Sequence, residues 1–180
     1  MRDILIKGTN ELSLAIDEVQ LDKLEKYAQL LKEWNEKINL TAITDDEGIA
    51  TKHFLDSLTA LCTGKVSGKV IDVGTGAGFP GMVLKIFFPN LKVTLVDSTL
   101  KKCNFLNYVI KELHLENIEV LNQRAEEFSK VLREQYDIVT SRAVAPLKHL
   151  LEYSIPLVKV NGTYIAMKSD ITNEITGISN

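Results

Sequence analysis

The pattern of hydrophobic and polar positions changes character near residue 64 of the 180-residue chain. Up to residue 63, apolar residues recur three and four positions apart, which is the spacing of amphipathic helices. From residue 64 onward, short β-branched runs alternate with helical patterns, which is typical of a mostly parallel, twisted sheet with helices on both faces. We therefore predict an N-terminal helical region over 1–63 and an α/β domain over 64–180.

Two capping signals divide the N-terminal region into helices. Asp17 and Gln20 have the spacing of a capping box, in which each side chain binds the backbone N–H of the other residue. The helix predicted to start there has an apolar face formed by Leu21, Leu24, Ala28 and Leu31. Thr44 and Glu47 have the same spacing and predict the start of a second helix, which continues through Ser57 and carries Lys52, His53 and Asp56.

The second region contains five runs with the composition of buried strands. These runs are 69–73, 92–96, 118–121, 136–140 and 163–167. The stretches between them have helical periodicity and predict helices over about 80–88, 100–113, 125–132 and 146–158. Pro156 is expected to bend or end the last of these helices. Because strands and helices alternate, the sheet is predicted to be parallel.

The amino-acid composition limits which classes of protein the chain can belong to. With 45% hydrophobic residues, the chain can bury the core of one α/β domain, and its net charge of −3 gives no general attraction to nucleic acid. A polyanionic partner would therefore have to bind a local basic patch. Cys62 and Cys103 lie far apart and form no metal-binding pattern, and no apolar run has membrane-spanning length. We expect a cytoplasmic monomer that binds neither metal nor membrane.

The stretch 69–81, KVIDVGTGAGFPG, carries the strongest chemical signal. Gly74, Gly76 and Gly78 directly follow the first strand, and without Cβ atoms they let the backbone turn sharply and approach a ligand. The helix predicted next presents unpaired N–H groups at its start. Asp72 adds a carboxylate beside this turn, so we expect these four residues to bind a cofactor.

Two classes of cofactor fit this loop. Residues 76–81 match the G-x-G-x-x-G pattern of dinucleotide binding, but its first glycine should follow the strand at once. Counted from Gly74, the third glycine of that pattern falls at Phe79, where helix and strand must approach closely. The frame D-x-G-x-G-x-G over 72–78 looks like the first motif of class I S-adenosylmethionine (AdoMet) methyltransferases. An NAD-dependent oxidoreductase and a non-catalytic adenosine-nucleotide-binding module are the alternatives.

Residues after the second and third strands extend the predicted cofactor site. Asp97 ends the second strand, where an acid can accept hydrogen bonds from both ribose hydroxyls of an adenosine. The same position also suits a helix N-cap. Ala125 and Glu126 follow the third strand, where backbone N–H groups can bind an adenine edge. Since AdoMet and NAD both contain adenosine, these residues do not separate the two cofactors.

The turn after the fourth strand, 140–146, bears on the methyl acceptor. It lacks the Asn/Asp-Pro-Pro-aromatic sequence of enzymes that modify the amines of bases, and it contains no cysteine nucleophile. Guanine N7 needs neither, because its lone pair is free at neutral pH. We therefore expect no catalytic base or nucleophile. Arg142 is predicted to bind phosphate or a guanine edge through its planar fork.

Taken together, several motifs resemble one family. The segments 34–43, 53–58, 72–81, 124–126 and 141–144 are similar to the bacterial 16S ribosomal RNA guanine-N7 methyltransferase G family, also called glucose-inhibited division protein B. The resemblance extends from about residue 21 to residue 168. It implies a Rossmann-like class I methyltransferase that uses AdoMet to methylate N7 of one guanine in 16S ribosomal RNA or the small ribosomal subunit.

The resemblance also implies roles for particular residues. Those expected around AdoMet are Gly74, Phe79, Asp97, Ala125, Glu126 and Arg142. The candidates for RNA contact are Lys52, His53 and Arg142. Members of the family continue beyond Asn180, into a tail rich in Lys, Arg and Pro. We therefore expect this sequence to be part of a longer protein.

Overall fold

The N-terminal region consists of helices, as predicted. The computed structural model describes residues 1–64, 66–142 and 146–168. Two long helices come first, α1 (Arg2–Glu11) and α2 (Glu18–Asn35). A second helical stretch then runs through α3 (Asp46–Gly48), a π-helix (Ile49–Leu55), α4 (Asp56–Leu58) and a 3₁₀ turn (Thr59–Thr63).

One of the two predicted capping boxes forms and the other does not. At the start of α2, the Asp17 carboxylate accepts from the Gln20 backbone N–H at 2.7 Å, and the Gln20 side chain accepts from the Asp17 N–H at 2.9 Å. The box predicted at Thr44 is wrong, because Asp45 is the N-cap and accepts from the Gly48 N–H at 2.7 Å. Aspartate is the stronger cap, and it displaces the threonine before it.

The second region forms one five-stranded sheet in the order β3-β2-β1-β4-β5, with every neighbouring pair parallel. Its strands are β1 (Lys69–Val73), β2 (Lys92–Asp97), β3 (Ile118–Asn122), β4 (Tyr136–Arg142) and β5 (Val158–Met167). The helices between them are α5 (Gly81–Phe87), α6 (Leu100–Glu112), α7 (Ala125–Phe128) and α8 (Leu147–Ser154), which a 3₁₀ turn (Ile155–Leu157) follows.

Several predicted boundaries are wrong near the end of the sheet. The helix predicted over about 146–158 ends at Ser154, close to the break expected near Pro156, and β5 begins at Val158 rather than at 163. Asn161 has a positive φ of 67°, and the register between β4 and β5 shifts. This irregularity breaks the apolar pattern and hides the first half of the strand. Residues 143–145 of the predicted motif and the tail 169–180 lie outside the described residues.

Hydrophobic side chains cover both faces of the sheet, which confirms the predicted layers. One cluster joins the sheet to α2, the π-helix, α5 and α6, and includes Leu24, Phe54, Val83, Leu95 and Phe105. The other lies under α7 and the turn before β5, and includes Ile71, Val73, Val96, Val139 and Leu157. The N-terminal helices therefore share one core with the sheet, and the boundary at 63–64 stays a prediction.

Three further facts concern the described part of the chain. No helix in it is both long and apolar enough to cross a membrane. It contains no group of three or more His, Cys, Asp or Glu side chains placed to hold a metal ion. Cys62 is an exposed thiol and Cys103 a buried one.

Candidate active site

The glycine loop adopts backbone angles that few other residues tolerate. Gly74, Gly76 and Gly78 have φ values of 70°, 61° and 103°. L-residues with a Cβ atom rarely adopt this region. The N–H groups of Gly74 and Thr75 both donate to the Val96 carbonyl, at 2.9 and 3.0 Å. The loop is thereby held against the end of β2.

Asp72 lies beneath this loop and is fully buried. Its carboxylate accepts hydrogen bonds from the Thr75 hydroxyl at 2.6 Å, the Gly81 N–H at 2.8 Å and the Thr140 hydroxyl at 3.2 Å. Burial raises the pKa of this carboxyl, which the three hydrogen bonds partly oppose. Asp72 therefore joins the loop, the start of α5 and β4. Its predicted contact with a cofactor stays a prediction.

Asp97 connects the glycine loop to the end of β2. One carboxylate oxygen accepts from the Gly76 N–H at 3.0 Å and the other from the Thr99 N–H at 2.8 Å. The N-cap of α6 is Thr99, so Asp97 itself is not the helix cap. A carboxylate has about four acceptor positions. Asp97 therefore retains acceptor positions for a ligand such as a ribose.

A groove lies outside the carboxyl ends of the strands, with a volume of about 550 Å³. Residues at or after the carboxyl ends of four different strands line it, including Gly74, Asp97, Thr99, Ala125 and Arg142. This is the edge at which open α/β sheets bind ligands, and the volume suits a small-molecule cofactor. We call it the first groove.

The predicted cofactor residues occupy different positions around the first groove. Gly74, Asp97, Ala125 and Arg142 line it, whereas Asp72, Gly76, Gly78 and Phe79 lie behind or beside it. The side chain of Glu126 lies outside the described part of the chain. Lys102, which the sequence placed among lysines at the rim of the cofactor site, also lines the groove. Sequence reasoning did not identify Tyr153, which becomes part of the wall only through the packing of α8.

Phe79 supports other site residues from below. Its ring is nearly parallel to the imidazole of His53, with centroids 4.5 Å apart. The guanidinium carbon of Arg142 lies 5.0 Å from the centre of the same ring, a cation–π contact. Only 4% of Phe79 is exposed. Its contribution in this structure is to position His53 and Arg142.

Arg142 ends β4, and the N-terminal helices occupy most of its hydrogen-bonding groups. Its guanidinium donates to the Asp56 carboxylate at 3.0 Å and to the Lys52 carbonyl at 3.2 Å. A second nitrogen lies 3.3 Å from Nδ1 of His53. Arginine has no acceptor, so Nδ1 must accept this hydrogen bond. The planar fork predicted to bind RNA is therefore already directed at protein groups.

His53 is neutral in this arrangement, and hydrogen bonds occupy its imidazole ring. With Nδ1 accepting, its Nε2–H donates to the Thr41 hydroxyl at 2.8 Å. Burial is the main cause that lowers the pKa of His53 to about 4, and the charge of Arg142 acts in the same direction. Both ring nitrogens are used, so His53 is suited to hold Arg142 and Thr41 in place.

A second groove, of about 580 Å³, adjoins the first. The π-helix and α4 form one wall through Lys52, His53 and Asp56, and the end of β5 forms another. Arg142 lines both grooves. The structure thus brings together the three RNA candidates, Lys52, His53 and Arg142, beside the predicted cofactor site.

Tyr27 of α2 is a supporting residue whose contact with the glycine loop sequence reasoning did not identify. Its hydroxyl donates to the carbonyl of Ala77 within the glycine loop. Its ring stacks on Phe54 and Phe79, each at 5.5 Å. A Cβ atom at Gly78 would overlap the Tyr27 hydroxyl. The sequence signal that could have identified this contact is a tyrosine, with its polar hydroxyl, within the apolar face of α2.

Solved structures share this fold at low sequence identity. A putative S-adenosyl-L-methionine-dependent methyltransferase from Methanococcus maripaludis has a TM-score of 0.57 and 14% identity, with 85% of this chain and 69% of the other covered. Coclaurine N-methyltransferase, solved with N-methylheliamine and SAH, has a TM-score of 0.54 and 13% identity, with 91% and 57% covered. These neighbours confirm the class I methyltransferase fold.

Closer relatives share the sequence over nearly the whole chain. Ribosomal RNA small subunit methyltransferase G of Acetivibrio thermocellus is 50% identical over 178 residues, which cover 97% of this chain and 74% of that protein. Its counterpart from Caldanaerobacter subterraneus subsp. tengcongensis is 49% identical over 177 residues, with 96% and 74% covered. The family described as rRNA small subunit methyltransferase G matches residues 20–177. The chain belongs to this family of methyltransferases.

Proposed function

We propose that this chain transfers a methyl group from AdoMet to N7 of one guanine in 16S ribosomal RNA. The observation that carries the proposal is Arg142, which lines two adjacent grooves at once. The first groove lies beside a glycine loop suited to a cofactor, and the second has space for a nucleotide. A methyl donor and an acceptor base bound in these grooves would meet near Arg142.

The residues of the first groove fit AdoMet. The glycine loop keeps bulky side chains away from its surface, and a Cβ at Gly76 would meet no atom within 4 Å. Asp97 has acceptor capacity for the two ribose hydroxyls, and Ala125 follows β3 where an adenine edge would lie. Coclaurine N-methyltransferase, which has the same fold, is bound to SAH, the demethylated form of this cofactor. AdoMet would supply an electrophilic methyl group here.

The protein groups around the site fit an acceptor that needs no deprotonation. His53 is neutral, and hydrogen bonds occupy both of its ring nitrogens. Asp72 is buried under the loop with three hydrogen-bond donors around it. Guanine N7 has a free lone pair at neutral pH, so the chain need only align the reactants and exclude water.

Local positive charge supports an RNA partner despite the net charge of −3. Lys52, Arg142 and Lys168 line the second groove, and Lys102 lines the first. Cationic side chains contribute to RNA affinity through phosphate contacts. Small-subunit RNA is also the substrate class in the names of the two relatives. We place this activity in the cytoplasm, where bacterial ribosomes are assembled.

The test is methyl transfer from labelled AdoMet to two substrates, deproteinised 16S RNA and whole small subunits. We expect the label in 7-methylguanosine after nuclease digestion and mass spectrometry, with one of the two substrates preferred. Label in another nucleoside, or in neither substrate, would refute the proposed function. Titration with NADH serves as the comparison for the oxidoreductase alternative, and we expect no binding.

A further inference from the structure

The positions of Arg142 and Asp56 bear on how the acceptor base is chosen. An arginine that binds guanine in the usual bidentate way donates to O6 and N7. That contact would cover N7, the atom that the proposed reaction must leave free. In this structure the Arg142 guanidinium instead donates to Asp56, to the Lys52 carbonyl and to His53. The guanine edge must therefore be recognised by another group.

Asp56 is the acidic side chain among those that line the second groove. One of its carboxylate oxygens accepts from Arg142 at 3.0 Å, and 46% of the side chain remains exposed. Arg142 in turn is held by the Phe79 ring and is only 18% exposed. Asp56 is thus an oriented carboxylate at the surface of a groove large enough for a nucleotide.

The walls of the second groove suit a flat base. The end of β5 contributes Ile165 and Met167, which offer apolar surface, and the helical segments contribute Lys52, Asp56 and Thr59. Met167 is paired with Arg142 in the sheet, so the apolar wall begins beside the junction with the first groove. A base inserted into this groove would have one edge within reach of Asp56.

We propose that Asp56 selects guanine by binding its Watson–Crick edge. This inference rests on the proposed function, because it assumes that a guanine enters the second groove. The carboxylate accepts hydrogen bonds from N1–H and from the 2-amino group. N7 lies on the far side of the purine from these two donors, so it stays uncovered. Arg142 is then a positioning residue that orients Asp56.

This arrangement discriminates among bases by chemistry. A carboxylate is a pure acceptor when ionised. Guanine presents two adjacent donors to it, and hypoxanthine presents one, because it lacks the 2-amino group. Adenine presents no N1–H, and its N1 lone pair would face the carboxylate. The expected order of binding is therefore guanine, hypoxanthine and adenine.

The first experiment measures nucleotide binding to the wild-type chain saturated with S-adenosylhomocysteine, by NMR titration with GMP, IMP and AMP. We expect GMP to bind about tenfold more tightly than IMP, the effect of one hydrogen bond to a charged group, and AMP to bind more weakly than both. Equal binding of the three, a preference for AMP, or no binding of GMP would overturn the proposal.

The second experiment uses Asp56→Asn, which keeps an acceptor for Arg142 but places an amide where the carboxylate was. We expect the GMP-over-IMP preference to fall to about one and methylation of 16S RNA to fall at least tenfold, with AdoMet affinity unchanged. A retained GMP preference would overturn the proposal. If Asp56→Asn does not fold, the order in which GMP, IMP and AMP bind to the wild-type chain decides whether the proposal holds.

Asp46→Asn is the matched control, since Asp46 is also an exposed carboxylate paired with a cation, Lys32, on the same helical stretch but away from the second groove. We expect it to keep the GMP preference, and an equal loss in this variant would overturn the proposal. The order of nucleotide binding is measured without methyl transfer, so its outcome is independent of whether the chain has the proposed activity. Absence of transfer by the wild-type chain would refute only the proposed function.

Discussion

Asp97 holds the glycine loop in this structure, and we propose that it also binds the cofactor, so one substitution tests both roles. Its carboxylate holds the N–H groups of Gly76 and Thr99, and we expect it to bind the ribose of AdoMet. Asp97→Ala should therefore weaken AdoMet binding by about 1.5–3 kcal/mol, the range for hydrogen bonds to a charged group. It should also lower the free energy of unfolding, by about 1–3 kcal/mol. Calorimetric titration and urea unfolding measure the two effects.

Asp137→Ala is the control for Asp97→Ala. Asp137 also accepts from a backbone N–H, that of Lys69 at 2.7 Å, and it binds Lys159 at 2.8 Å. It belongs to β4 and lies beside the start of β1, at the opposite end of that strand from the glycine loop. We expect this variant to lose stability while keeping its AdoMet affinity. Equal affinity losses in both variants would argue against the ribose contact.

His53 should remain uncharged over the whole neutral range. Burial, helped by the charge of Arg142, lowers the pKa of its imidazole from 6.5 to about 4. In an NMR titration, the ring signals assigned through a His53→Gln variant should move with a midpoint near pH 4. A midpoint between 6 and 7 would show that the ring is not enclosed as described.

The lowered pKa of His53 also has a stability consequence. Between pH 6.5 and about 4, the unfolded chain binds a proton at this position and the folded chain does not. The free energy of unfolding therefore decreases as the pH falls through this range, by up to about 1.4 kcal/mol per pH unit. The fall should be shallower in His53→Gln, in which other titrating groups are unchanged.

At the scale of elements, α2 supports the glycine loop directly. Tyr27 donates to the Ala77 carbonyl from inside the core, where the residue is fully buried. Tyr27→Phe would leave that carbonyl without this donor, at a cost of about 1–3 kcal/mol in unfolding free energy. Because the carbonyl belongs to the loop, we also expect weaker AdoMet binding, measured by calorimetry.

Tyr136→Phe offers a matched comparison. Its hydroxyl is also buried, and it makes a long hydrogen bond of 3.5 Å to Thr94, away from the glycine loop. We expect a smaller loss of stability and no change in AdoMet affinity. If the two variants behave alike, the Tyr27 hydroxyl does not support the loop.

Elements with local signals were predictable from the sequence. The Asp17–Gln20 capping box, the strand 69–73 and the glycine turn each depend on neighbours within a few positions, and the structure confirms them. β5 was found only in part, because the positive φ at Asn161 interrupts its pattern. Regular helices and strands can be predicted from the periodicity of their apolar residues. The conformation of an irregular element depends on its neighbours in the fold, which the local sequence does not show.

At the scale of the whole molecule, the general position of the site was predictable but its internal contacts were not. The carboxyl ends of parallel strands meet at one edge, so Gly74, Asp97 and Ala125 had to lie together. The partner of Arg142, however, is Asp56, 86 positions away, and the partner of Ala77 is Tyr27, 50 positions away. Residue type and spacing contain no information about which distant helix packs against a strand end.

The same long-range contacts determine when the site can form during synthesis. β1 is the first strand made, yet it lies at the centre of the sheet, and β4 completes its second side. Asp72 needs the Thr140 hydroxyl, and the wall of the first groove extends to Tyr153. A nascent chain therefore carries its glycine loop long before it can enclose a cofactor. The site of this ribosomal RNA methyltransferase can therefore form only after most of the chain has been synthesised and has emerged from the ribosome.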